Sequence, residues 1–168
     1  DNPVLDKGYS PMTVRFFMLQ THYRSTLDFS NQAIQASEKG FQRLVDAINK
    51  LDSLEAGSEN SVDVQTLMDR AFGAMNDDFN TPVLIATLFD AVKMVNSIAD
   101  KKESINAENL VLLKKLLRDF TFEVLGLKLE QEEISNEAGL EDDLMKLLIE
   151  MRVNAKKEKN YAQADQIR

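Results

Sequence analysis

The sequence predicts an all-α protein, an antiparallel helical bundle followed by a second, smaller helical module. Three observations carry that expectation. Apolar residues recur at i, i+3, i+4 and i+7 in one segment after another, a spacing no strand reproduces. Only 6 Gly and 3 Pro punctuate the 168 residues, which is thin for a many-stranded protein and natural for long helices. Proline twice follows a capping residue, as Ser10-Pro11 and Thr81-Pro82, where its missing N–H and fixed φ suit the first turn of a helix.

The first helix is expected from Met12 to Tyr23, started by Ser10, with Val14, Phe17, Met18 and His22 or Tyr23 at helical offsets. Residues 25–30 break the pattern. Ser30 or Asn31 then caps a longer helix whose stripe is Phe41, Leu44, Val45, Ile48 and Leu51. Residues 57–61 read as a loop. A third helix runs from about Val62 to Met75, with Val64, Leu67, Met68, Ala71, Phe72 and Met75 on one side. After a turn at 76–80, Thr81-Pro82 opens a fourth helix to about Ala99, apolar nearly all round and so expected at the centre of the bundle. Asn106 caps the fifth, whose stripe of Leu110, Leu113, Leu117, Phe120 and Val124 ends near Gly126. Short connections favour antiparallel neighbours, so residues 1–129 form one bundle. Residues 130–139 are polar and of one sign, which suits a linker. Residues 140–168 start a second module, with Leu140, Leu144, Leu147, Leu148 and Met151 at helical spacing.

Composition excludes several chemistries. There is no Cys, so no disulfide, thiolate metal site or cysteine nucleophile. One His, His22, excludes a two-histidine metal site within the chain. The formal charge of −8 argues against a generic nucleic-acid coat. Charge is uneven, however: residues 130–143 carry acids and no base, whereas Arg152, Lys156, Lys157, Lys159 and Arg168 outnumber Glu158 and Asp165 further on. No apolar run is read as approaching the ~20 residues of a membrane span, and the start lacks the features of a signal peptide. Both ends read as cuts.

Three clusters could carry chemistry. Asp77-Asp78-Phe79-Asn80 gathers oxygen ligands but lacks the alternating carboxylates, central Gly and distal Glu of a calcium loop. Asp and Asn ahead of Thr-Pro are turn formers and caps, and no metal is assigned. His22-Tyr23-Arg24 sits at a helix end, where His22 and Arg24 would complement the C-terminus and Tyr23 would seal the core. RNA or interdomain contact is the other reading. Arg152 and Lys156 share a helix face, with Tyr161 and Asp165 following. Cations neutralise phosphates, an aromatic stacks on an unpaired base, and a carboxylate accepts from base amino groups. A solvated basic helix end fits the same residues.

Three stretches, in this order and spacing, resemble the cysteinyl-tRNA synthetases. They are Ser10-Pro-Met-Thr-Val-Arg15 through His22-Tyr-Arg-Ser-Thr-Leu-Asp-Phe29-Ser, then Met75-Asn-Asp-Asp-Phe-Asn-Thr-Pro82, then Arg152 to Arg168 with Lys159-Asn-Tyr-Ala-Gln-Ala-Asp165. The match is to the family's C-terminal, DALR-type helical half. The resemblance implies a class I synthetase that joins L-cysteine to its tRNA through an ATP-derived adenylate. ATP and zinc belong, on this resemblance, to a catalytic domain absent from this segment, so the chain itself holds no cofactor and catalyses nothing alone. The bundle would lie along the inside of the tRNA, and the terminal module would read the anticodon. Arg152, Lys156, Tyr161 and Asp165 fall where the family's anticodon-reading residues lie, and Arg15, His22 and Arg24 are candidates for tRNA-backbone or interdomain contact. Lys156 departs from the usual Arg, which reduces a bidentate reader to a point charge. The chain also stops at Arg168, before the rest of that module. The implied partners are the tRNA for cysteine and the catalytic domain, with no membrane or DNA, in the cytoplasm. Two alternatives stand: the related cysteine–amino-sugar ligase of mycothiol synthesis, which the Arg152-to-Asp165 pattern disfavours, and a free-standing helical interaction module.

Overall fold

A computed structural model describes residues 8–128 and 149–150. The chain divides into two compact units, residues 1–129 and 130–168. In the second, Ile149 and Glu150 are helical and exposed; the expected linker and the rest of the second module lie outside the described residues. The first unit contains α1 (Pro11–Leu19), α2 (Asn31–Lys50), α3 (Val64–Asn76), α4 (Thr81–Ala99) and α5 (Ala107–Arg118). A 3₁₀ turn, Leu51–Ser53, follows α2, and a π-helical turn, Asp119–Val124, follows α5. No strand occurs among the described residues.

Side-chain caps fix where the helices begin. Ser10 Oγ accepts from Met12 N at 3.1 Å and Thr13 N at 3.4 Å. Ser30 is the α2 cap, through Ala33 N, and Asn31 is already helical. Asp63 caps α3 through Thr66 N at 3.0 Å, a cap the sequence reading missed. Asn80 caps α4 in place of the expected Thr81, which becomes the first helical residue. Asn106 caps α5 as expected.

The first helix is shorter than the periodicity implied. Gln20 and Thr21 donate back to the carbonyls of Phe17 and Met18, closing α1 with tight i−3 bonds. His22 and Tyr23 therefore leave the helix. Its inward residues are Thr13, Phe16 and Phe17, while Met18 faces out. The fully buried Phe16 ring meets Phe41 at 5.4 Å and Phe89 at 6.4 Å, which pins α1 against α2 and α4.

Helix α4 packs against α2, α3 and α5. Leu84, Ile85, Leu88, Ala91, Val92, Val95 and Ile98 are buried along it. At 19 residues it is long and apolar enough to cross a membrane, against the reading that no apolar run approaches that length. Most of its large apolar residues are instead covered by neighbouring helices, as in the core helix of a bundle, although Val83 is exposed. Besides Met18, two further stripe expectations fail. Phe72 is 55% exposed, its ring edge against Phe120 at 5.1 Å. Val124 is exposed because the π turn adds a residue to the repeat: Leu125 N bonds to Phe120 O and Leu127 N to Thr121 O. Leu125 and Leu127 take the buried positions instead.

The 57–61 loop is tied to the connector between α4 and α5. Gly57 N donates to Ile105 O at 2.8 Å and Ser61 N to Ser104 O at 3.0 Å. Val62 and Ile105 are buried at this junction.

Candidate functional site

Arg15, on the outer side of α1, reaches across the bundle. Its Nε donates to the Leu125 carbonyl at 2.9 Å. Gly126 has φ +60°, which favours glycine, and a Cβ there would stand 2.6 Å from Arg15 Nη2, so the flexible guanidinium would have to shift to admit one. Arg15 thus fastens the chain leaving the π turn.

His22, Tyr23 and Arg24 converge with Asp78 from the turn between α3 and α4, two motifs that are separate in sequence. The Tyr23 hydroxyl donates to Asp78 Oδ1 at 2.7 Å, and Arg24 Nη1 lies 3.1 Å from Asp78 Oδ2. His22 Nε2 is 3.9 Å from the same oxygen. The His22 ring stacks on Tyr23 at 4.8 Å, and the Arg24 guanidinium stands over that ring at 5.4 Å. Donation to a carboxylate raises the Tyr23 hydroxyl above its ordinary value. The expected role in sealing the core is overturned: Tyr23 is 62% exposed, and Arg24 serves Asp78 rather than the helix end. The α1 helix stops too early for these residues to lie on it.

The 76–80 turn is held by its own groups. Asn80 N bonds to Ala74 O at 2.9 Å, and its side chain donates to Asp77 while accepting from Val83 N. Asp78 and Phe79 both have left-handed backbones, φ +54° and +52°. Phe79 is 67% exposed and borders a surface cavity of about 450 Å³ with Met18, Leu19, Tyr23, Leu27 and Thr81. Among the described residues no cluster of His, Asp or Glu could hold a metal ion.

Several surface cations are engaged within the bundle. Arg70 and Lys93 pair with Asp90, Arg118 with Asp52, and Lys102 with Asp100. These contacts hold Asp90 and Asp100 below the ordinary carboxyl value, in each case first through the hydrogen bond from lysine. Lys39 and Arg43, exposed and one turn apart on α2, make no ion pair with another described residue. Sequence reasoning passed over them; the signal was their i, i+4 spacing on the face opposite Leu44 and Ile48. The anticodon candidates Arg152, Lys156, Tyr161 and Asp165 lie outside the described residues.

The family profile for the DALR domain matches residues 72–130, from the last turn of α3 through α4 and α5. The chain is 46% identical to the cysteine–tRNA ligase of Bacteroides fragilis over 98% of its own length. By sequence, it is a homologue of the cysteine–tRNA ligases that carries a DALR domain. To the cysteine–tRNA ligase of Parabacteroides distasonis it is 43% identical over its whole length, and to that of Chlorobaculum tepidum 39% over 95%. The chain spans about a third, 34%, of the length of each of these relatives. The described residues of the first unit, helical with no strand, agree with the helical character expected of the DALR-type region.

Proposed function

We propose that this chain is the tRNA-binding segment of a cysteine–tRNA ligase, with the helical bundle against the tRNA body and the terminal module at the anticodon. One observation carries the reading: nearly the whole chain aligns with cysteine–tRNA ligases at up to 46% identity, DALR domain included. Arg152 and Lys156 hold phosphates or base edges, Tyr161 stacks on an anticodon base, and Asp165 accepts from base amino groups. In the bundle, Lys39 and Arg43, unpaired with other described residues, supply cations for the sugar-phosphate backbone. Arg24 and Arg15 are weaker candidates, since their guanidinium groups are engaged by Asp78 and Leu125.

A single His, no Cys and no acidic cluster among the described residues make this segment a poor host for zinc. On this reading, ATP and zinc chemistry belongs to a catalytic domain elsewhere in the polypeptide, and the ligase works in the cytoplasm.

Titration of the chain with tRNA for cysteine, and with the same tRNA altered only at the anticodon, tests the proposal. Binding should be weak, should fall with salt, and should favour the cognate anticodon. Arg152→Ala and Lys156→Ala should reduce that preference. Identical affinity for both RNAs, unchanged in the two variants, would remove the anticodon role.

A further inference from the structure

Phe79 is held in solvent by a built turn. Two consecutive non-glycine residues, Asp78 and Phe79, adopt the left-handed backbone, which is unfavourable for a bulky side chain. The conformation persists because both sides of the turn are fixed. Asp78 is gripped by Tyr23 and Arg24, and Asn80 is bonded to Ala74, Asp77 and Val83. Strain at an over-determined position presenting an exposed aromatic is an outlier of the kind that marks a contact surface.

What surrounds Phe79 selects the occupant. Met18, Tyr23 and Phe79 are each more than half exposed around the 450 Å³ cavity, which Leu19, Leu27, Thr21, Ser25 and Thr81 also line. Exposed aromatics and Met are enriched in the core of protein–protein interfaces. The adjoining cations are spent: Arg24 pairs with Asp78, His22 faces the same carboxylate, and Asp77 adds a further negative charge. Among the described residues, the patch therefore offers an apolar pocket with no unpaired cation to grip a phosphate. The chain also spans only 34% of the length of its relatives, which leaves two thirds of such a polypeptide to meet it.

We infer that the Met18–Tyr23–Phe79 patch docks the remainder of the ligase polypeptide, taking an apolar side chain of that domain into the cavity beside Phe79. This rests on the reading of the chain as a ligase segment. It assigns the patch to protein contact rather than to RNA.

Hydroxyl-radical oxidation read by mass spectrometry tests it, at Met18, Tyr23 and Phe79. In the 168-residue chain all three should react, with or without tRNA. When the chain replaces the matching segment of the Bacteroides fragilis ligase, their reactivity should fall several-fold in the absence of RNA. Phe79→Asn, which suits a left-handed backbone, should restore Met18 reactivity in that longer protein. Full reactivity there overturns the inference, and so does protection that appears only with tRNA. Should the longer protein not fold, the chain alone still decides. Phe79→Asn must leave its tRNA affinity unchanged, and a several-fold loss assigns the patch to RNA. Absence of tRNA binding by either protein would strike the proposed function while leaving protection in the RNA-free longer protein readable.

Discussion

Arg15 lies over Gly126: its guanidinium, bonded to the Leu125 carbonyl, stands 2.6 Å from where a Cβ at position 126 would sit. Gly126→Ala adds backbone strain to that collision and should cost about 1–3 kcal/mol. In an Arg15→Ala background only the strain of φ +60° remains, so the same substitution should cost less. A double-mutant cycle by urea denaturation measures the difference. Equal costs in both backgrounds would show that Arg15 yields freely.

Phe79→Asn should stabilise the isolated chain. The side chain is mostly exposed, so little burial is lost, and Asn tolerates the left-handed backbone that Phe resists. A gain of up to about 1 kcal/mol is expected, read as a higher melting temperature. A lower one would show that Phe79 contributes packing that outweighs its strain.

Leu88 is buried in the middle of α4. Leu88→Ala should destabilise by about 2–5 kcal/mol through lost transfer energy and a cavity that the surrounding helices only partly close. The exposed Val111 on α5 provides the control, and Val111→Ala should cost far less.

Acid should weaken the bundle. Asp90 is held below its ordinary 3.8 by Lys93 and Arg70, Asp63 by Thr66, and Asp100 by Lys102. A carboxyl with a lowered folded-state value binds its proton more weakly when folded. Its stabilisation is therefore complete above about pH 4 and is lost as the pH falls through the folded-state value. Melting temperature followed from pH 7 to pH 3 should drop, and Asp90→Asn should reduce the drop. A melting temperature that rises on acidification would reverse the assignment.

If α2 faces the tRNA backbone, Lys39→Ala and Arg43→Ala should each weaken binding to every tRNA alike and reduce the salt slope by about one. Titrations at two or more salt concentrations measure both. An effect confined to the cognate tRNA would mean that these residues read bases, contrary to their assigned role.

Helix starts and most core positions were legible because they rest on local rules. Ser10, Ser30 and Asn106 cap helices where short polar side chains precede an apolar repeat, and Leu44, Ile48, Leu113 and Leu117 are buried at the spacing that marks them. Met18, Phe72 and Val124 depart from the apolar periodicity, Met18 and Phe72 at the outer margin of their helices and Val124 where the π turn changes the repeat. A 3.6-residue period carries no warning of a π turn, whose extra residue is accommodated by tertiary packing of Leu125 and Leu127.

The sequence by itself determined an all-helical chain, the order of its helices and the family resemblance, since these follow from short-range periodicity, capping and contiguous motifs. Only the tertiary structure decided that His22-Tyr23-Arg24 and Asp78, 55 residues apart at the Tyr23–Asp78 bond, make one cluster. It also decided that Arg15 serves Leu125 and that Phe79 stands in solvent. Which cation meets which carboxylate depends on how the helices pack, and packing is set by the shape of the whole core rather than by the neighbours of any one residue.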